Sequence, residues 1–147
     1  MFPITQLNER INEIDNNPNF YDDTYVGELF MKKDGKVEFK PTNDEPIRVF
    51  PLKDNKVKGA LEIYQMPELD KSGKVYRDRY IVGHDPVDSD VSGTMSLSST
   101  FVLDLYTDKI VAEYTGRSEF ADDNFEKVRL ICIFYNAKCL YEAHPYD

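Results

Sequence analysis

The sequence predicts an α/β fold, in which a mixed sheet combines an antiparallel hairpin with a parallel strand added after a crossover helix. Three observations predict it. An apolar run ends at Asp85, two alternating segments follow it, and a helical stripe precedes a last apolar run that ends at Glu142. A helix that connects two strands of one sheet makes a crossover, which sets those strands parallel. A β-rich extension is expected on the N-terminal side.

The extension, residues 1–75, is predicted to begin with an amphipathic helix. Leu7, Ile11 and Ile14 recur at the spacing of one helical face. Thr5 stands in front of this pattern as a possible N-cap.

A hairpin and short strands are expected in the rest of the extension. Residues 26–31 and 37–40 flank Asp34-Gly35, a dipeptide that tolerates the positive φ of a type I′ turn. Residues 47–50 and 61–64 are each predicted to form a short strand. The extension is therefore expected to be rich in β structure.

Residues 76–147 are predicted to form the second unit. Its first strand, 80–83, is an apolar run of the kind found in strands buried on both faces. Residues 101–105 and 110–114 alternate on either side of a polar turn, which predicts an antiparallel hairpin.

A helix over residues 121–135 follows the hairpin. One stripe of this helix carries its apolar side chains, namely Phe125, Val128, Ile131, Cys132 and Tyr135. Asn136 is a plausible stop signal, and residues 137–142 are predicted to form the last strand.

Composition excludes several classes of protein. The chain has no apolar run near the 18 residues of a membrane span and no secretory signal segment. The net charge of −9 argues against a stand-alone nucleic-acid binder, although residues 31–79 hold 12 of the 18 Lys and Arg. Cys132 and Cys139 lack zinc-ligand spacing and are expected to be buried free thiols in a reducing compartment.

The predicted parallel pairing places two acids at one edge of the sheet. If strand 137–142 lies beside strand 80–84, Asp85 and Glu142 end neighbouring strands at the edge where α/β sheets bind ligands. Two close carboxylates repel each other unless a proton or a cation bridges them, and oxygen ligands favour Mg²⁺ or Mn²⁺. Turn-forming acids at the ends of strands would give the same pattern.

Four segments, in this order, resemble the nuclease half of the large terminase subunit of tailed bacteriophages. They are YIVGHDP (80–86), IVAEYTGR (110–117), FYNA (134–137) and YE (141–142). LNERIN (7–12) and FKPTND (39–44) also resemble what precedes the nuclease core in some members.

This resemblance implies a ribonuclease H-like fold, partial over residues 76–147, and a two-metal endonuclease that cuts concatemeric phage DNA during packaging. By position, Asp85 matches the first metal ligand of the family and Glu142 the second. The implied cofactor is Mg²⁺ or Mn²⁺. The implied partners are double-stranded DNA and the phage portal or terminase small subunit, in the cytoplasm of an infected bacterial host, with no membrane.

Other polar residues are weaker candidates for this site. Asp88 and Asp90 share a loop with Asp85 and could add a ligand, although turn formation is the simpler interpretation. His144 could ligate metal or transfer a proton if the last strand continued beyond Glu142. Three further residues are expected to have structural roles or to be exposed: His84 packed on the opposite face, Asp104 facing solvent and Arg117 exposed after a turn.

Two features of the sequence depart from the pattern of the family. The family usually has a third acid well downstream, whereas this sequence ends at Asp147, and no phosphate-binding G-x-x-x-x-G-K-[ST] segment is present. We therefore expect the chain to be a portion of a terminase. The alternatives are a non-catalytic assembly or interaction module, or an unrelated α/β binding domain, in which the acids form turns and hold no metal.

Overall fold

The computed structural model describes residues 3–49, 51–52, 54–87 and 96–142. In this part of the chain, seven strands form one sheet and two helices accompany it. The elements are, in chain order, α1 (Ile4–Asp15), β1 (Tyr25–Met31), β2 (Val37–Pro41), β3 (Leu61–Ile63), β4 (Tyr80–Asp85), β5 (Ser98–Asp104), β6 (Lys109–Gly116), α2 (Ala121–Tyr135) and β7 (Lys138–Tyr141).

The sheet is mixed, as the sequence predicts. Its strand order is β2-β1-β3-β6-β5-β4-β7. Strands β4, β5 and β6 form an antiparallel meander, and β7 returns through α2 to lie parallel to β4. The expected hairpin, crossover helix and parallel strand are therefore all confirmed at the level of a mixed α/β sheet.

The N-terminal strands continue this sheet. Strand β3 pairs on one side with β1 and on the other side with β6, antiparallel in both cases. The backbone hydrogen-bond network thus passes from residues 1–75 into residues 76–147 without a break. The division at residue 75 remains a prediction.

Helix α2 covers one face of the sheet and forms the core with it. Val128, Ile131 and Tyr135 are buried against strand residues that include Tyr80 and Val82. The Tyr135 hydroxyl donates a hydrogen bond of 2.7 Å to a backbone carbonyl beyond β3, so the polar end of this buried ring is satisfied.

The stripe predicted on α2 is correct except at its first member. Phe125 is 50% exposed and packs edge-on against His84 at 6.1 Å between ring centroids. The end of the helix is also as predicted, because Asn136 adopts the left-handed conformation with φ 49°. Asparagine enters this region more readily than most residues.

Helix α1 differs from the prediction at its start. It begins at Ile4, its N-cap is Pro3, and no side chain caps it. Thr5 is therefore inside the helix. Leu7 and Ile11 remain exposed, and no residue of α1 is buried.

The hairpin predicted over residues 26–40 is present as β1 and β2. In its turn only Gly35 has a positive φ, +83°, whereas a type I′ turn needs positive φ at both central residues. Two other local expectations are wrong. Strand β4 alternates between buried and exposed residues rather than being buried on both faces, because α2 covers one face only. Residues 47–49 form no strand.

The segment before β3 packs closely on the end of β6. The backbone N–H of Arg117 donates a 2.6 Å hydrogen bond to the carbonyl of Val57, and the Tyr114 hydroxyl donates to the carbonyl of Lys58. A Cβ added at Gly116 would lie 2.3 Å from that Lys58 carbonyl oxygen. The glycine of the IVAEYTGR segment is therefore required by a close backbone approach.

Candidate functional site

The two acids singled out in the sequence end neighbouring parallel strands. His84 of β4 is paired with Tyr141 of β7. Continuing this register by one residue sets Asp85 opposite Glu142. The predicted parallel neighbour is therefore the observed one, and both acids lie at the C-terminal ends of their strands.

The pairing also sets the face on which these acids lie. Tyr80, Val82 and His84 are the buried residues of β4 and face α2, so Asp85 belongs to the opposite face. Both Asp85 and Glu142 are exposed. We call the face of the sheet opposite α2 the open face.

The donor set of this site consists of two carboxylates. Their oxygens match in type what Mg²⁺ or Mn²⁺ prefers. Within the described residues, no three His, Cys, Asp or Glu side chains converge as a group able to hold a metal ion. Two carboxylates thus lie at this edge, and the further candidates Asp88, Asp90 and His144 lie outside the described residues.

His84 packs under α2, as expected from strand alternation. Its Nδ1 lies 3.0 Å from the Thr100 hydroxyl oxygen, and burial lowers the pKa of the imidazole. Its Nε2 is buried and has no hydrogen-bond partner among the described residues. The His84 side chain points away from Asp85, so we interpret it as a packed residue of the core.

The expectation that Asp104 faces solvent is wrong. Its side chain is 0% exposed and forms two hydrogen bonds with Arg79, of 3.0 and 2.8 Å. These bonds are the main reason that the pKa of Asp104 is lowered. A bidentate pair satisfies the buried charge, so this acid is a structural residue at the end of the sheet remote from Asp85.

The two cysteines are neighbours across α2 and β7. Both are free and partly buried. Burial raises the pKa of the Cys132 thiol to about 12, and the adjacent Cys139 adds to this shift. Thiols with raised pKa values are poor nucleophiles, which agrees with the prediction of packed free thiols and gives them no catalytic role.

Sequence reasoning missed a second pair of acids on the open face. Glu62 of β3 and Glu113 of β6 are directly opposite each other in the register, and Arg48 reaches Glu62 from the preceding loop. Each glutamate stands in the middle of an apolar strand segment, a position where a charged residue is uncommon. That signal was present in the sequence and would have marked both residues.

Comparisons with models of protein families, with curated proteins and with solved structures found no match. Across the described residues, neither helix has the length and apolar composition needed to cross a membrane.

Proposed function

We propose that this chain is the partial nuclease portion of a phage DNA-packaging terminase, with a ribonuclease H-like core and a metal-dependent phosphodiester-cleaving site at Asp85 and Glu142. The observation that carries the proposal is the register of β4 and β7, in which these two acids end adjacent parallel strands on one face. The order of β4, β5, β6, α2 and β7 supports it too, since the resemblance implies this order.

In this proposal the chain itself provides the geometry. Neighbouring strands lie about 5 Å apart, so Asp85 and Glu142 start from positions close enough to share one cation. Divalent ions held there would activate a water molecule and stabilise the leaving oxygen during phosphodiester cleavage. Rigid backbone pairing immediately before each acid would fix the orientation of both carboxylates.

The first test of this function is metal binding. Mn²⁺ should raise the thermal midpoint of the wild type, because a ligand of the folded state stabilises it. Asp85→Asn should abolish the shift, whereas Asp22→Asn, an exposed acid of the loop after α1, should retain it. Identical Mn²⁺ responses in wild type and Asp85→Asn would contradict the site.

The second test is cleavage. Two carboxylates alone rarely fix two cations about 4 Å apart, so we expect the 147-residue chain to nick plasmid DNA slowly or not at all with Mn²⁺. Adding the downstream segment of a related large terminase, with its third acid, should give cleavage that needs both Asp85 and Glu142. Equal cleavage by an Asp85→Ala version of that longer chain would refute the assignment.

A non-catalytic assembly module is the second candidate. It is favoured by the convergence of only two acids among the described residues and by the net charge of −9, which disfavours binding of DNA by this chain alone. In that case the terminase portal or small subunit would be the partner. The longer chain would then remain inactive, and Mn²⁺ would leave the thermal midpoint unchanged.

A further inference from the structure

A cleft of about 690 Å³ opens on the open face of the sheet, away from the ends of β4 and β7. Glu113 and Tyr64 line its floor and Arg48 one side. Its apolar walls are formed by Ile14 of α1, by Phe20 and Tyr21 of the following loop, and by Phe101 of β5. Ligand pockets commonly have volumes of roughly 300–1,000 Å³ with mostly apolar walls and a few polar groups.

Glu113, on the floor of this cleft, is paired across the strands with the buried Glu62. The two side chains are directly opposite each other on β3 and β6, and like charges in that arrangement destabilise a sheet. Glu62 is 0% exposed, so its charge needs a partner inside the protein.

Arg48 supplies that partner to Glu62. Arg48 Nε donates a 2.7 Å hydrogen bond to Glu62 Oε1, and Nη2 contacts the same oxygen. The Tyr64 hydroxyl donates to the other oxygen at 3.2 Å. The guanidinium group also stacks over the Tyr21 ring at 3.8 Å. Glu62 is therefore compensated within the protein.

Glu113 is not compensated in the same way. Its carboxyl group is half-buried and lies near the Tyr64 hydroxyl. No cation lies within 4 Å of it to form an ion pair among the described residues. Burial first, and repulsion from Glu62 second, raise its pKa. This carboxyl group therefore has no ion-pair partner of its own among the described residues, and it lies in a cleft open to solvent.

We propose that the cleft binds a small organic cation, an ammonium or guanidinium group carried on an apolar or aromatic body, with the cation at Glu113 and the body against Tyr21 and Phe101. An anionic ligand is disfavoured because its charge would face Glu113, while Arg48 is already paired with Glu62. The charged groups around the rim, Arg10, Lys109, Asp23 and Asp108, balance one another. Selectivity for a cation therefore comes from the floor.

The proposal is independent of the metal site. Glu113 and Asp85 lie on the same face but two strands apart, about 10 Å across the sheet at the usual strand spacing. Asp85→Asn is therefore expected to leave binding in the cleft unchanged. Failure of either proposal can be distinguished from failure of the other.

Binding of the cation should release a proton. A cation beside Glu113 favours its ionised form, so a ligand that binds there displaces the proton that the raised pKa retains. The charged and titratable groups that face Glu113 are Glu62, Tyr64, Arg48, Tyr21, Asp23, Arg10, Asp108 and Lys109. The pKa of Glu113 is raised by burial and by the neighbouring Glu62, which makes this carboxyl group the source of the proton.

Calorimetric titration with phenethylamine and benzamidine tests the inference, with neutral 2-phenylethanol as the matched probe without charge. Both cations should bind the wild type, and 2-phenylethanol should bind at least about tenfold more weakly, the usual cost of losing a hydrogen bond to a charged group. The binding enthalpy of the cations should vary with the ionisation enthalpy of the buffer, because a proton is released.

Glu113→Gln and Glu119→Gln form the matched pair of variants. Glu119 is exposed in the loop before α2, so its change alters the net charge equally without touching the cleft. Glu113→Gln should weaken binding of both cations by about tenfold or more and remove the buffer dependence. Unchanged binding in Glu113→Gln, equal binding of 2-phenylethanol, or no saturable binding of either cation would overturn the proposal.

Discussion

Two pairs of acids lie on the open face of one sheet, and they differ in solvent exposure and in their contacts with a cationic side chain. Asp85 and Glu142 end a pair of parallel strands and are exposed. Glu62 and Glu113 face each other in the middle of antiparallel strands, under a loop that brings Arg48 to the first of them. All four side chains are carboxylates, so their different exposure follows from their positions along the strands.

The two pairs of acids differ in what reduces the repulsion between their carboxylates. At the strand ends solvent screens the two carboxylates, so the protein needs no internal cation and the site is open to an external one. In mid-sheet the low dielectric makes an unpaired charge costly. Arg48, from the loop before β3, already pairs with Glu62. The exposed pair thus needs no partner within the protein, whereas Glu62 of the mid-sheet pair requires one.

The largest expected effect comes from removing the internal cation. Arg48→Met leaves Glu62 buried and unpaired, which should lower the free energy of unfolding by an amount toward the lower end of roughly 3–5 kcal/mol, since Arg48 is itself partly exposed. A urea melt measures this loss. Lys56→Met, in the same loop with a well-exposed side chain, should stay within about 0.5 kcal/mol.

A double variant sharpens this result. Adding Glu62→Gln to Arg48→Met removes the buried charge together with its partner, so the combined loss should be smaller than the sum of the single losses. Strict additivity would mean that Arg48 stabilises the fold through its stacking on Tyr21 and not through its charge.

An intermediate effect is expected at Glu113, with a defined dependence on pH. Its pKa is raised in the folded protein, so the folded state binds more protons than the unfolded state between the two pKa values. Stability from this group is therefore greatest below the unfolded pKa and falls as pH rises through the folded pKa.

Glu113→Gln should remove the loss of stability that ionisation of Glu113 causes as the pH rises. The variant is expected to be more stable than the wild type at neutral pH, by roughly 0.2–1 kcal/mol as for like charges across strands. The advantage should vanish toward about pH 4, near the unfolded pKa of glutamate. Urea melts of both proteins across this range measure it, and a difference that does not vary with pH would contradict the assignment.

The smallest effect is expected at the exposed pair. Without metal, Asp85→Asn should change the free energy of unfolding by no more than about 0.5 kcal/mol, because both carboxylates are solvated. Thermal or urea unfolding in chelator measures it. A loss above about 1 kcal/mol would mean that Asp85 has a structural partner, and the contrast between the two pairs would fail.

Sequence patterns predicted the elements whose signals are local. The bounds of α2 follow from its apolar stripe and from Asn136, and the parallel placement of β7 follows from the crossover rule. The position of Asp85 beside Glu142 required one further assumption, that β4 is the parallel neighbour of β7, and the register shows this pairing.

The failures came from contacts between distant segments. Asp104 was expected in solvent because a lone aspartate in a strand usually is, but Arg79 pairs with it across the sheet. The buried state of Glu62 likewise depends on Arg48, which no periodicity links to β3. Burial of β4 on both faces was wrong because a second covering layer cannot be inferred from one apolar strand.

The topology has a consequence for folding kinetics. Strands β4, β5 and β6 are neighbours both in sequence and in the sheet, whereas β5, β6 and α2 separate β7 from its partner β4 along the chain. Non-local parallel pairing is slow because its loop-closure entropy comes first. The edge strand β7, and with it the neighbourhood of Asp85 and Glu142, is therefore expected to join the sheet after the meander, and its amides should exchange before those of β5.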